Sequence, residues 1–177
     1  MLRHYDTNNW EITKFAVSEM LLAIGACWTI FSLNASSDTS ANALLSKEQM
    51  FFVFSTICLL SFLFGVLSQF LIGKNRVYFA KTARHINNYR SHALVNKPLG
   101  FVCSKDFWSN PNLPKTSDWK STHMLCGYLL NFFTSLMLFT TVWFFMLSVN
   151  CDAMWIPVVF ALLSLLVSFS ASKLLMK

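Results

Sequence analysis

The stretch MFFVFSTICLLSFLFGVLSQFLIGKNRVYFAKTARHINNYRSHAL, Met50 to Leu94, decides how this chain is read. Its first half, Met50 to Ile72, carries no charged residue and is long enough to cross a bilayer core, which takes about 20 apolar residues. Its second half changes composition without an obvious break. After Gly73 come Lys74, Arg76, Lys81, Arg84 and Arg90, while Val77, Ala80, Ala83, Ile86 and Leu94 keep near-helical spacing. The expectation is a basic helix of about 20 residues that continues the span or bends onto the membrane surface, ended by Lys97-Pro98 and Gly100.

Outward from this stretch, three further apolar runs appear: Phe15 to Leu33, Met124 to Val149, and Ile156 to Met176. Backbone within a bilayer must satisfy its own polar groups, so such runs form helices. The expected fold is an all-α membrane protein, with four transmembrane helices and a basic cytoplasmic helix and loop between the second and third. A single domain spans 1–177, with 74–122 as the cytoplasmic module. The composition agrees: 55% of the 177 residues are hydrophobic and only 12% charged, where soluble domains carry about 25% charged residues.

Charge distribution sets the direction. Lys74 to Thr122 holds nine of the fourteen Lys and Arg, against Asp106 and Asp118. Asn34 to Gln49 has only Lys47, and Asn150 to Trp155 has none. The positive-inside rule places the basic loop and both termini in the cytoplasm. Trp10, Trp119 and Trp155 flank the apolar runs at headgroup level. The net charge of +6 sits mostly in that loop, so anionic lipid accounts for it before nucleic acid does, and no direct nucleic-acid contact is expected. No small-residue cleavage site follows the first run, so that span is expected to be retained. Asn34-Ala35-Ser36 is a sequon against the end of span one and reads as a helix exit rather than a glycan site.

The loop Phe101 to Lys120 contains Phe107, Trp108, Pro111, Pro114 and Trp119, too aromatic for a flexible linker. An ordered loop packed under the bundle or on a partner is expected, with Thr116 or Ser117 capping the third helix and Asp118 in its first turn. Arg76, Lys81, Arg84, Tyr89, Arg90 and Trp108 are the candidate partner-binding residues. Within the spans, Glu19, Gln69 and Asn131 are the candidate intramembrane polar layer, because ionisable and amide groups there face protein or water. If they face one another they line the cytoplasmic mouth of the bundle. The alternatives are an interhelical hydrogen-bond cluster or Glu19 reaching toward Lys14 at the interface.

Small residues at three-to-four spacing, Ser61, Gly65 and Ser68 in span two and Ala161, Ser164, Ser168 and Ser172 in span four, serve either a second copy or the protomer's own packing. The five cysteines form no CxxC pair and read as buried small hydrophobes; His85 and His92 lie two turns apart. No catalytic, metal or cofactor set is present, so no cofactor is expected and the protein reads as non-enzymatic.

In size, span count and the basic helix Arg76 to Leu94 leaving span two, the chain resembles the small four-span proteins of bacterial phage-defence operons. In length, four spans and cytoplasmic termini it also resembles immunity proteins against pore-forming colicins. The first resemblance implies an oligomeric inner-membrane sensor or anchoring subunit with a cytosolic protein partner. The alternatives are an ion-conducting or depolarising effector, and a blocker of a toxin's pore domain.

Overall fold

The computed structural model describes residues 2–35, 45–95, 110–115, 121–151 and 153–175. These form four helices and no strand among the described residues: α1 (Leu2–Ala35), α2 (Lys47–Val95), α3 (Thr122–Ser148) and α4 (Trp155–Leu175). α1, α2 and α3 are each long and apolar enough to cross a membrane; in α4 the apolar stretch Trp155–Ser168 is shorter. The chain is a helical membrane protein by this architecture.

α2 is one unbroken helix of 49 residues, about 73 Å at 1.5 Å per residue. A hydrocarbon core is about 30 Å thick, so more than half of α2 lies beyond it. Its start is a capping box. Ser46 Oγ accepts from the Gln49 N–H at 3.2 Å, and Gln49 Oε1 accepts from the Ser46 N–H at 3.0 Å. α1 begins at Leu2, well before the apolar run that announced it. It pairs with α2 as an antiparallel hairpin, with Asn75 Nδ2 donating to Asn9 Oδ1 at 3.0 Å at one end. At the other end the Asn34 amide exchanges two hydrogen bonds with the Leu45 backbone, at 3.1 and 3.2 Å. The sequon asparagine is thus a structural clasp.

α3 is capped by Ser121, whose Oγ accepts from the Met124 N–H. The expected caps, Thr116 and Ser117, lie outside the described residues, as do Asp118 and Trp119. The α3 end is a Schellman turn: Cys151 N–H reaches Met146 O at 2.9 Å, Asn150 N–H reaches Leu147 O at 3.3 Å, and Asn150 holds φ 54°. Asparagine tolerates that left-handed conformation better than most residues. The turn sends α4 back antiparallel along α3.

α1, α2 and α3 pack against one another in every pair, and α4 lies on α3 with a lighter edge against α2. The packing is inverted relative to a soluble protein. Thr13, Ser55, Ser61, Ser68, Thr134, Ser135 and Thr141 are buried, while Leu22, Trp28, Leu60 and Leu67 are over 60% exposed. Lipid offers apolar side chains as good an environment as protein does, so small and polar residues take the helix contacts. Along α1 the buried positions Asn9, Thr13, Ala16, Met20, Ala23 and Cys27 alternate spacings of four and three, the heptad-like seam of long helix pairs. Two apolar cores fill the interior. One is built on Ala16, Met20, Ile72, Leu130 and Met137, the other on Cys27, Met50, Phe54 and Cys58. Phe144 stacks into the second, its ring centroid 5.3 Å from Phe54 and 6.1 Å from Phe51.

The small stripe of α2 serves this packing. Ser61 bonds Glu19, Ser68 is buried, and a Cβ on Gly65 would come within 2.6 Å of both Thr134 and Met20. Of the α4 stripe, Ser164 accepts from Ser135 of α3 at 3.4 Å. These contacts belong to the protomer's own helices.

Candidate functional site

Two polar regions stand out. The first lies within the spans. Ser61 Oγ donates to Glu19 Oε1 at 2.9 Å, while Glu19 Oε2, Gln69 Nε2 and Asn131 Oδ1 are buried atoms without a hydrogen-bond partner. Glu19, Gln69 and Asn131, the expected polar layer, make no hydrogen bond to one another. With Asn9 opposite Asn75, helix register carries Glu19 to about the level of Gly65, four residues or about 6 Å along α2 from Gln69, and its carboxylate reaches away from Gln69 to Ser61. Gln69 lines a groove between α2 and α4, and Asn131 is buried in α3 with 9% exposure. Lys14 does not serve Glu19 either. It pairs with Glu11 at 2.9 Å, over the Trp10 ring. Stranding a buried polar atom costs about 1–3 kcal/mol, and Asn9 Nδ2 at the end of the α1–α2 hairpin is a fourth such atom.

The second region lies beyond the apolar run of α2. Past Gly73, α2 buries Arg76, Ala80, Ala83 and Asn87 along one stripe, Arg76 with only 4% exposure. The polar members hold the segment Asn110 to Lys115. Arg76 Nη2 donates to Lys115 O at 2.7 Å, and Arg84 Nε to Pro114 O at 3.1 Å. Asn87 Nδ2 donates to both Leu113 O (2.9 Å) and Asn110 O (3.1 Å). The segment offers carbonyls because it is a proline turn. Leu113 N–H closes onto Asn110 O at 3.1 Å, and the Asn110 side chain accepts from Asn112 N–H at 2.9 Å. This is a β-turn with Asn first and Pro second, as those residues favour. Arg76 also stacks on Phe79, 5.3 Å from its centroid.

The structure therefore divides the candidate partner-binding residues. Arg76 and Arg84 hold the protein's own loop. Lys81 and Tyr89 are exposed on the opposite face, in a stripe with Lys74, Tyr78, His85, Asn88 and His92 at spacings of three and four. His85 meets Tyr89 edge-on at 4.8 Å. Arg90 is exposed on the same stretch and makes contacts of its own. Trp108 and Phe107 lie outside the described residues. Sequence reading missed Asn87 and the Asn110–Lys115 segment as a unit. A signal existed: Arg76, Ala80, Ala83 and Asn87 fall at helical spacing on a face whose small residues leave room for backbone. Among the described residues, no group of three His, Cys, Asp or Glu side chains comes together to hold a metal.

No protein-family model, no curated protein and no solved structure matches this chain.

Proposed function

We propose that the chain is a four-span, non-enzymatic membrane protein that couples the packing of its spans to a cytosolic protein partner through the exposed face of α2. The observation that carries this reading is the continuity of α2. One helix holds the α1 hairpin, contacts α3 at Gly65, and then runs beyond the bilayer with one face clamped to Asn110–Lys115 and the other face open. A rotation or shift of the spans moves that outer face without an intervening hinge.

Four spans are supported by the path of α4. It runs antiparallel to α3 from the Schellman turn to the Ser135–Ser164 contact, midway along α3, and continues to Leu175. From Trp155 to Ser168 its exposed side chains, among them Val158, Val159, Leu162, Leu163, Leu166 and Val167, are apolar. With an even number of spans both termini share a side, and the basic excess of 74–122 makes that side cytoplasmic. The shared layout with small phage-defence membrane proteins favours a bacterial inner membrane and a sensor or anchoring role in an oligomeric antiviral complex. Conduction through one protomer is disfavoured by the tight meeting of Gly65, Thr134 and Met20 on the bundle axis.

The test is site-specific photocrosslinking in the native host. A benzophenone side chain at position 81 or 89 should give one discrete protein adduct, and the same group at Leu22 or Leu60 should give none. Adduct formation at neither 81 nor 89, in cells expressing the chain at its native level, would refute the coupling role.

A further inference from the structure

We propose that the groove between α2 and α4 is a binding site for one glycerophospholipid of the cytoplasmic leaflet. This rests on the four-span reading, since it needs α4 within the bilayer.

The groove has a volume of about 510 Å³, within the roughly 300–1,000 Å³ of ordinary ligand sites. α2 contributes Phe62, Val66, Gln69 and Phe70, and α4 contributes Phe160, Leu163 and Val167, over a floor that includes Leu138 of α3. Phe62 to Phe70 spans about 12 Å along the helix axis. α2 and α4 each run antiparallel to α3, hence in the same direction, and the groove follows the membrane normal from the cytoplasmic side toward the centre. Such a slot matches the course of an acyl chain.

Its polar groups are Gln69 and Ser168 toward one end and Ser164 at mid-depth. Ser164 already accepts from Ser135, and Ser168 has a partner of its own. Gln69 Nε2 is different: it is a buried donor with no acceptor, in a wall whose other polar members are Ser164 and Ser168. An occupant that repays its desolvation must bring an acceptor oxygen to that depth and an apolar tail beneath it. On the same face of α2, at four-residue steps beyond Val66 and Phe70, stand Lys74 and Tyr78, both exposed. Lys74 lies five residues past Gln69, about 7.5 Å further out. The vertical order is therefore apolar slot, amide donor, cation. That is the order of acyl chain, ester carbonyl and phosphate in a glycerophospholipid, and the cation favours an anionic headgroup. A second copy's helix would fill the slot but brings no free carbonyl, because its backbone acceptors are used within the helix.

The experiment is native mass spectrometry of the full chain, released from micelles doped with 16:0/18:1 phosphatidylglycerol or with the matching phosphatidylcholine. Wild type should retain one phosphatidylglycerol per chain, in preference to phosphatidylcholine. Leu163→Trp, which fills the slot, should lose the adduct at least tenfold. Gln69→Leu should lose it about two- to tenfold, as one hydrogen bond is worth ~0.5–1.5 kcal/mol. Lys74→Glu should abolish the headgroup preference and leave the chain bound. Helix content by circular dichroism accompanies each variant, and Val66→Phe substitutes if Leu163→Trp does not fold. No adduct on folded wild type, or an adduct unchanged in a folded slot-filling variant, overturns the site. A disulfide between copies of Leu163→Cys, with no lipid retained, overturns it in favour of a second copy. Maleimide labelling of Ser170→Cys from outside intact cells overturns the four-span reading instead, so the two failures are distinguishable.

Discussion

Substituting Gly65 by alanine probes the point where three helices meet. The added Cβ would lie 2.5 Å from Thr134 Oγ1, 2.6 Å from Met20 Cε and 3.1 Å from Thr134 Cγ2. Carbon contacts settle at about 3.5–4.0 Å, so the neighbours must give by roughly 1 Å. Met20 ends in a flexible thioether and can move. Thr134 cannot: its χ1 is stiff in a helix, and its hydroxyl donates to Leu130 O at 2.7 Å. α3 must therefore shift against the core of Ala16, Ile72, Leu130 and Met137. Overpacking of this kind costs ~1–3 kcal/mol, offset by up to ~1 kcal/mol from the better helix propensity of alanine. A net loss of about 1–2 kcal/mol should lower the melting temperature in mild detergent by a few degrees, at roughly 2–4 °C per kcal/mol for this size. Gly25 and Gly127 have nothing within 4 Å of such a Cβ, and alanine there should be neutral or stabilising. Thr134→Ala removes both clashing atoms, so Gly65→Ala/Thr134→Ala should recover most of the loss, a coupling readable in a double-mutant cycle. If Gly65→Ala melts with Gly25→Ala, or the second substitution recovers nothing, the three-helix contact is wrong.

Further outcomes follow from the clamp and the spans. Asn87→Ala removes two donors to Asn110 and Leu113. It should increase protease cutting within 110–115 about tenfold or more, at ~1–3 kcal/mol for stranded acceptors, while leaving the melting of the spans nearly unchanged; equal cutting rates would argue against the clamp. Glu19→Gln keeps an acceptor for Ser61 and should preserve melting, whereas Glu19→Leu strands that hydroxyl and should destabilise by about 1 kcal/mol. Membrane potential in cells expressing wild type or Glu19→Gln should stay intact. Rapid depolarisation by wild type that Glu19→Gln abolishes would favour the conducting alternative.

Much of this architecture was readable from residue order. The charge-free run Met50–Ile72 and the helical spacing past Gly73 announce the body of α2, while its first turn, Lys47 to Gln49, reads as loop by hydropathy although Ser46 and Gln49 form a capping box. The aromatic residues that mark the loop as ordered, Phe107, Trp108 and Trp119, lie outside the described residues, and the described part, Asn110 to Lys115, is held on α2 through its carbonyls. The early start of α1 was hidden because hydropathy reports lipid exposure, and residues 2–14 are polar enough to pass as a tail; only the spacing of Asn9, Thr13 and Ala16 continues the buried stripe. The pairing of polar groups was hidden for a different reason. Depth estimated from each run's own boundary puts Glu19, Gln69 and Asn131 near one level; the Gly65–Thr134 approach keeps Gln69 and Asn131 close in depth, whereas contacts such as Asn9–Asn75 and Ser61–Glu19, which no single helix encodes, set Glu19 about one turn deeper. For the same reason Arg76 and Arg84 read as surface cations until the loop that they bind is placed beside them.

The central claim, a four-span chain with α2 reaching into the cytoplasm, is tested most directly by cysteine accessibility. Cys151 is exposed in the α3–α4 turn and serves as the natural outer reporter once the other four cysteines are replaced. A membrane-impermeant maleimide should label Cys151 in intact spheroplasts. In a Cys151→Ala background it should label Ser91→Cys and Ser170→Cys only after permeabilisation. Labelling of Ser170→Cys from outside, with Cys151 also reactive, would mean that α4 does not cross. Labelling of Ser91→Cys from outside would contradict the orientation of α2 itself.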